Sequence, residues 1–243
     1  MKVLVVYARL YAECFAKAVN GLKKNAWTLL LPAGLLVAWI ISAGVAAPLG
    51  FVGGILRGFF MAALTSCYLY FLGEIVSHSR VSIAEIGRSI GAYFWSTVNL
   101  YFVIWVAEWV IGTLLSRSPQ GDGRAALFIA GLQLIAAILL SAAPEAIYQR
   151  GTYGGLATIQ RSISFLQQHW IEWLVPSALF LLVLWWLPEI YGYGLPGLLL
   201  NAVIKGAVFH LGMVFRGHLF ATLDGSTHRQ RMFKYRSARA AGE

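Results

Sequence analysis

Three ionisable residues, Arg57, Glu108 and Lys205, lie inside otherwise apolar stretches of this 243-residue chain. A charged side chain at the centre of a membrane span costs about 2.5–3.5 kcal/mol on insertion scales, so such residues indicate function or a partner. At 1.5 Å per residue, all three lie about 10–13 Å from the outer ends of their spans. We therefore expect Glu108 to form an ion pair with Arg57 or Lys205. The trio is either a polar pocket or ion path, or a structural salt bridge. We favour the salt bridge, because one mixed-charge cluster provides no continuous polar route.

Three acidic residues, Glu74, Glu145 and Asp224, lie near the predicted cytoplasmic ends of three spans. They are the only candidates for the acid and base groups of a lipid-handling enzyme. The sequence contains no phosphate-binding glycine-rich loop and neither the HExxH nor the GxSxG motif. His210 lies mid-span without a second histidine at its depth, as haem ligation between helices would require. We expect no catalytic site, no metal and no cofactor.

The basic residues lie at the ends of apolar segments, and they give the chain a net charge of +9. This position favours anionic lipid headgroups over nucleic acid as the counter-charge, so no nucleic-acid partner is expected. A neighbouring membrane protein subunit is the other partner that we expect. The residues predicted to contact headgroups or a partner are Arg9, Lys17, Lys23, Lys24, Arg229, Arg231, Lys234 and Arg236.

The composition excludes an ordinary soluble domain. Hydrophobic residues make up 59% of the chain and charged residues 12%, about half the charged fraction of a soluble protein. An apolar window of about 20 residues can cross the hydrocarbon layer. The windows are 26–47, 51–72, 92–115, 125–148, 170–187 and 196–221. The prediction is an all-α polytopic membrane protein with six transmembrane helices arranged as three helical hairpins.

The distribution of Lys and Arg predicts the orientation. If both termini share one side with the connections around 78–91 and 149–169, that side holds all but four of the nineteen basic residues. The exceptions are Arg117 and Arg124 on the opposite side, with Arg57 and Lys205 inside spans. By the positive-inside rule, both termini are cytoplasmic. We expect a multi-pass protein of the bacterial inner membrane.

The segment before the first span has the pattern of an amphipathic helix. Arg9, Glu13 and Lys17 recur on one stripe, with Tyr11 and Cys14 on the opposite face. A basic amphipathic helix next to a span is expected to lie in the headgroup plane, and docking of a cytoplasmic partner is the alternative. The predicted domains are an interfacial helix (1–25), a six-helix bundle (26–222) and a basic cytoplasmic tail (223–243).

The chain also shows an internal repeat. Aligning Pro32 with Pro176 superposes amphipathic segments, interfacial tryptophans and spans, and the Arg-Ser-Ile at 88–90 recurs at 161–163. The copies start about 70 residues apart, as expected for repeated structural units. Three units of interfacial helix plus helical hairpin are predicted.

The Gln-Arg-Ser-Ile-Ser-Phe segment at 160–165 precedes a predicted span that begins with the aromatic residue Trp170. This arrangement is similar to that of a known family. The chain resembles six-span bacterial membrane proteins related to the membrane domain of glycerophosphodiester phosphodiesterases. It has no counterpart of their catalytic domain, so no catalytic residue carries over. The length, spans and amphipathic N-terminal helix also resemble ABC-2 type exporter permeases. No coupling-helix motif is evident in 78–91, although 82–86 could form a short helix.

These features favour a non-enzymatic membrane scaffold or accessory subunit. The alternative is a permease subunit energised by a separate ATPase that docks on 78–91 and the N-terminal helix. A permease predicts a polar cavity between the spans, whereas a scaffold predicts a packed interior.

The topology can be tested with reporters fused to each terminus. We expect both a C-terminal and an N-terminal fluorescent reporter to be active in the cytoplasm, because the basic residues concentrate there. Alkaline phosphatase fused at either end is expected to stay inactive. Reporters on opposite faces would contradict an even number of crossings.

Overall fold

The computed structural model describes residues 2–78, 80–82, 86–115, 123–152, 154–188, 194–226, 230–231 and 233. These ranges contain helices and their connections, and no β-strand. The helices are α1 (Lys2–Lys24), α2 (Leu31–Ala46), α3 (Gly50–His78), α4 (Ile86–Ala92), α5 (Phe94–Leu115), α6 (Gly123–Leu139), α7 (Ala143–Arg150), α8 (Gly155–Trp186) and α9 (Gly194–Asp224).

Five helical stretches are long and apolar enough to cross a membrane. They are Ala26–His78, Phe94–Thr113, Leu127–Arg150, Gly155–Trp186 and Pro196–Asp224. The first contains both α2 and α3, joined by a 3-10 turn at Ala47–Leu49. Gly50 follows with φ of 54°, a conformation that glycine adopts without a steric penalty. The guanidinium of Arg57 on α3 lies 4.9 Å from the ring centre of Trp39 on α2, so α3 runs back along α2.

Helix α1 buries one face against the rest of the protein. Its buried residues recur every four positions and pack mainly on α9, where Tyr11 and Phe15 contact the ring of Phe215. The apolar face that we expected to rest in the headgroup plane is therefore covered by protein. The opposite face is exposed. The buried stripe consists of Val6, Leu10, Cys14, Ala18 and Leu22.

The predicted fourth span is not one continuous helix. Helix α6 ends at Leu139, and α7 begins at Ala143 after a short turn. Pro144 explains the break, because proline has no N–H to donate and its ring clashes with the carbonyl four residues earlier, that of Leu140. This interruption was missed by the hydropathy pattern, which is apolar on both sides of the turn.

Two further backbone breaks agree with the predicted repeat. His169 has φ −134° and ψ 24° and divides α8 just before Trp170, where the fifth span was predicted to begin. Asn25 has φ −131° and ψ 44° and separates α1 from the first span. The two breaks have the same separation along the chain as Pro32 and Pro176. Each break thus lies at the same place in two copies of the predicted repeat.

Three helices pack on three others that meet at the centre. Helix α4 packs on α3, α8 packs on α7, and α1 packs on α9. This is the order expected if each predicted unit contributes a helix to the unit before it. At the centre α3, α7 and α9 meet, where Tyr148 lies against Gly73 and Gly217.

The central contact gives a stability prediction. A methyl group added at Gly217 would lie 2.5 Å from the Tyr148 hydroxyl and 2.6 Å from a Val76 methyl group. We expect Gly217→Ala to lower the free energy of unfolding by about 1–3 kcal/mol through overpacking. The matched control is Gly131→Ala, in helix α6 with no atom within 4 Å of the added carbon. Thermal unfolding in mild detergent measures both, and equal stabilities would contradict the packing.

Candidate functional site

A cluster of polar side chains fixes the turn between α6 and α7. The carbonyls at the end of a helix have no partners within the helix and need other donors. The Ser162 hydroxyl donates to the Leu139 carbonyl at 2.6 Å, and Arg216 donates to the Ser141 carbonyl. The indole N–H of Trp173 donates to the Ser141 hydroxyl at 3.0 Å. Side chains from α8 and α9 therefore hold the turn in place.

The same arginine forms a buried ion pair. Arg216 Nε lies 3.2 Å from Oε1 of Glu145, and its Nη2 donates to Oε2 at 3.2 Å. Glu145 is fully buried on α7, and the guanidinium stacks 4.7 Å from the ring centre of Trp173. The ion pair and the cation–π contact both use the planar guanidinium of Arg216. The pair joins α7 to α9 and leaves the Glu145 side chain enclosed by protein.

A second buried chain of hydrogen bonds connects three elements. Nδ1 of His210 on α9 lies 3.0 Å from the Tyr68 hydroxyl on α3, and Nε2 lies 3.1 Å from the Thr28 hydroxyl. Thr28 in turn donates to the Asn25 carbonyl at 2.7 Å, at the backbone break before the first span. Both ring nitrogens of His210 are thus engaged. The sequence pattern did not predict this chain of hydrogen bonds, although a mid-span histidine and a hydroxyl beside the break were the available signals.

A third buried polar contact involves Arg231. This residue was predicted to contact headgroups or a partner, but it is 4% exposed and its Nη2 lies 3.4 Å from Glu172 Oε1. The Tyr11 hydroxyl donates to the Glu172 carbonyl at 3.2 Å. Burial, with the negative charge of Glu172 adding to it, raises the pKa of Tyr11 to about 12. The ion pair draws Arg231 inward and replaces the expected external contact.

The three acids predicted near the cytoplasmic ends each have their own cationic or histidine partner. Glu74 lies 3.0 Å from the ring of His78, and Glu145 pairs with Arg216. Asp224 accepts from Arg161 at 2.7 Å and also binds Arg150. Each of the three acids thus contacts a different basic or histidine side chain.

The three mid-span charges do not form the predicted cluster. The Arg57 side chain is turned toward α2, where it stacks on Trp39. Lys205 is half-buried on α9, beside the Gly206 that packs on Pro32. Glu108 is exposed, and no cationic group of the described residues lies within 4.0 Å of its carboxylate. The expected ion pair with Arg57 or Lys205 is therefore not formed.

Glu108 instead lines a cleft of about 790 Å³ between α5, α6 and α8. Gln133 on α6 lines the same cleft, and most of its other lining residues are aliphatic. A second cleft of about 630 Å³ separates α3 from α5, with Gly54, Gly58 and Trp105 among its lining residues. Both clefts open on the sides of the bundle. The two clefts therefore provide open space between neighbouring helices.

The remaining predicted contact residues divide into two groups. Arg9, Lys17, Lys23 and Lys24 are exposed on α1, and Lys17 forms an i,i+4 pair with Glu13 at 3.4 Å. Arg229, Lys234 and Arg236 lie outside the described residues, as does most of the short helix predicted at 82–86. Comparison with family models, curated proteins and solved structures gives no match.

The buried ion pair predicts a large effect of charge removal. Glu145→Gln leaves Arg216 buried without its counter-charge, and we expect a loss of about 3–5 kcal/mol in the free energy of unfolding. The control is Glu13→Gln in the exposed pair with Lys17, where we expect at most about 1 kcal/mol. Unfolding in detergent measures both.

The double variant Glu145→Gln with Arg216→Met removes both charges. It is expected to be more stable than Glu145→Gln alone, because no unpaired charge remains in the core. Equal effects at Glu145 and Glu13 would contradict a structural role for the buried pair.

Proposed function

We propose that the protein is a non-catalytic integral membrane scaffold or accessory subunit of a membrane complex. One observation carries the proposal: the buried carboxylates Glu145 and Glu172 are paired with Arg216 and Arg231, while the open spaces are clefts lined mostly by apolar residues. A closed core suits a protein that holds others in place. Lateral clefts suit contact with neighbouring helices in the bilayer.

The proposed topology is six crossings as three hairpins in the bacterial inner membrane, with both termini cytoplasmic. The return of α3 along α2 supports two crossings within Ala26–His78. The 5.3 Å contact between Phe180 on α8 and Phe215 on α9 supports the last hairpin. In this orientation the exposed basic face of α1 lies on the side of the anionic headgroups.

The permease alternative requires a polar cavity between the spans. Glu108 and Gln133 are the principal polar side chains of the larger cleft, and the smaller cleft is lined chiefly by aromatic, aliphatic and glycine residues. These linings favour helix or lipid contact over passage of a polar cargo. The scaffold is therefore the function that we propose.

The scaffold proposal predicts a stable complex in mild detergent that depends on the clefts. Gly58→Leu places a side chain into the cleft between α3 and α5, and we expect at least about a fivefold loss of complex, equivalent to about 1 kcal/mol. The matched control is Gly44→Leu on α2, since neither glycine has an atom within 4 Å of its added carbon. Native gels and mass photometry measure the complex.

One result would contradict a scaffold role. The protein would then have the mass of a monomer in mild detergent and in nanodiscs from native membrane, both with and without Gly58→Leu. Uptake or export activity of the chain reconstituted with an ATPase would favour the permease instead.

A further inference from the structure

Helices α5 and α6 are consecutive in the chain but do not form a closely packed pair. Helix α5 packs against α3 and α8, and α6 packs mainly against α8. In contrast, α2 packs directly on α3, and α8 on α9. The C-terminal end of α6 is fixed by hydrogen bonds from Ser162 to the Leu139 carbonyl and from Arg216 to the Ser141 carbonyl in the turn that follows. The separation of α5 from α6 is therefore set by the folded core.

The two walls of the cleft each have the pattern of a helix-packing surface. Lining residues on both helices recur at intervals of three and four, as on the buried stripe of a packed helix. Several are small, which allows a neighbouring backbone to approach closely. A carbon added at Gly112 would have no atom within 4 Å. The walls include Ile104, Ala107, Glu108, Ile111 and Gly112 on α5, and Ile129, Leu132, Gln133, Ala136 and Ala137 on α6.

The charge in the cleft specifies the chemistry of its occupant. Glu108 is seven residues from the end of α5, about 10 Å along the helix. At this depth a carboxylate lies in hydrocarbon, below the headgroup amines of lipids, and it needs a cation or hydrogen-bond donor. No cationic group of the described chain lies within 4.0 Å of it. A helix-shaped space with one acidic wall complements a helix with a basic residue.

We propose that the cleft between α5, α6 and α8 binds a transmembrane helix of another membrane protein, and that a Lys or Arg of that helix pairs with Glu108. Gln133 on the facing wall forms a further hydrogen bond with the same helix, either as donor or as acceptor. This inference rests on the proposed scaffold function and names the surface and the chemistry of the partner.

Site-specific photo-crosslinking in native membranes tests the location. A small diazirine side chain at Leu132, in the cleft, is expected to give one major adduct with another membrane protein. The matched control is Leu134 on the same helix, which is 62% exposed and does not line the cleft. We expect at least about tenfold less of that adduct from position 134. Mass spectrometry of the adduct from position 132 should identify an apolar segment that contains a Lys or Arg.

Charge variants test the chemistry. Glu108→Lys places a like charge opposite the partner cation, and we expect at least about a tenfold loss of the adduct, since a pair in the membrane contributes about 1–2 kcal/mol. Glu108→Gln should give an intermediate loss. Because Glu108 is exposed and has no ion pair in the described chain, the thermal stability of the isolated protein should not change.

Three outcomes would overturn the proposal. They are an adduct with lipid only, an adduct with a second copy of this chain, and a partner adduct that Glu108→Lys leaves unchanged. If the complex persists on native gels in any of these cases, the scaffold role stands and the cleft is not its docking surface. Absence of any complex would instead remove both proposals.

Discussion

The ion pair between Arg216 and Glu145 is the interaction on which most of the structure depends. It lies where the helices α7, α8 and α9 converge, and the same guanidinium holds the end of α6 through the Ser141 carbonyl. A buried pair of this kind tolerates no missing partner, because either charge alone would remain desolvated. Arg216 thus links α9 both to α7 and to the turn that follows α6.

The contacts of the other helices follow the order of the predicted repeat. Helix α4 packs on α3, α8 packs on α7, and α1 packs on α9. The backbone breaks at Asn25 and His169 let the chain change direction between the segment and the span. The polar groups near these breaks are satisfied by side chains, for example Thr28 bound to Asn25 and Arg231 near His169.

The helix pairs differ in how closely they pack. Helices α2 and α3 pack together, as do α8 and α9, whereas α5 and α6 flank a cleft that contains Glu108 and Gln133. An acidic side chain in hydrocarbon is unfavourable unless it has a partner. The acidic wall of this cleft therefore supports the proposal that another membrane protein completes this surface.

The sequence by itself determined the all-helical character, the long apolar helices and the interruption between the apolar windows 26–47 and 51–72. These features depend on local composition, proline and glycine positions and the period of the apolar residues. Tertiary structure alone decided which charges meet. Arg57 turns to Trp39, Arg231 turns inward to Glu172, and Glu108 remains open, because pairing depends on how helices distant in sequence are oriented. Helix periodicity gives the face of each residue but not the neighbour of that face.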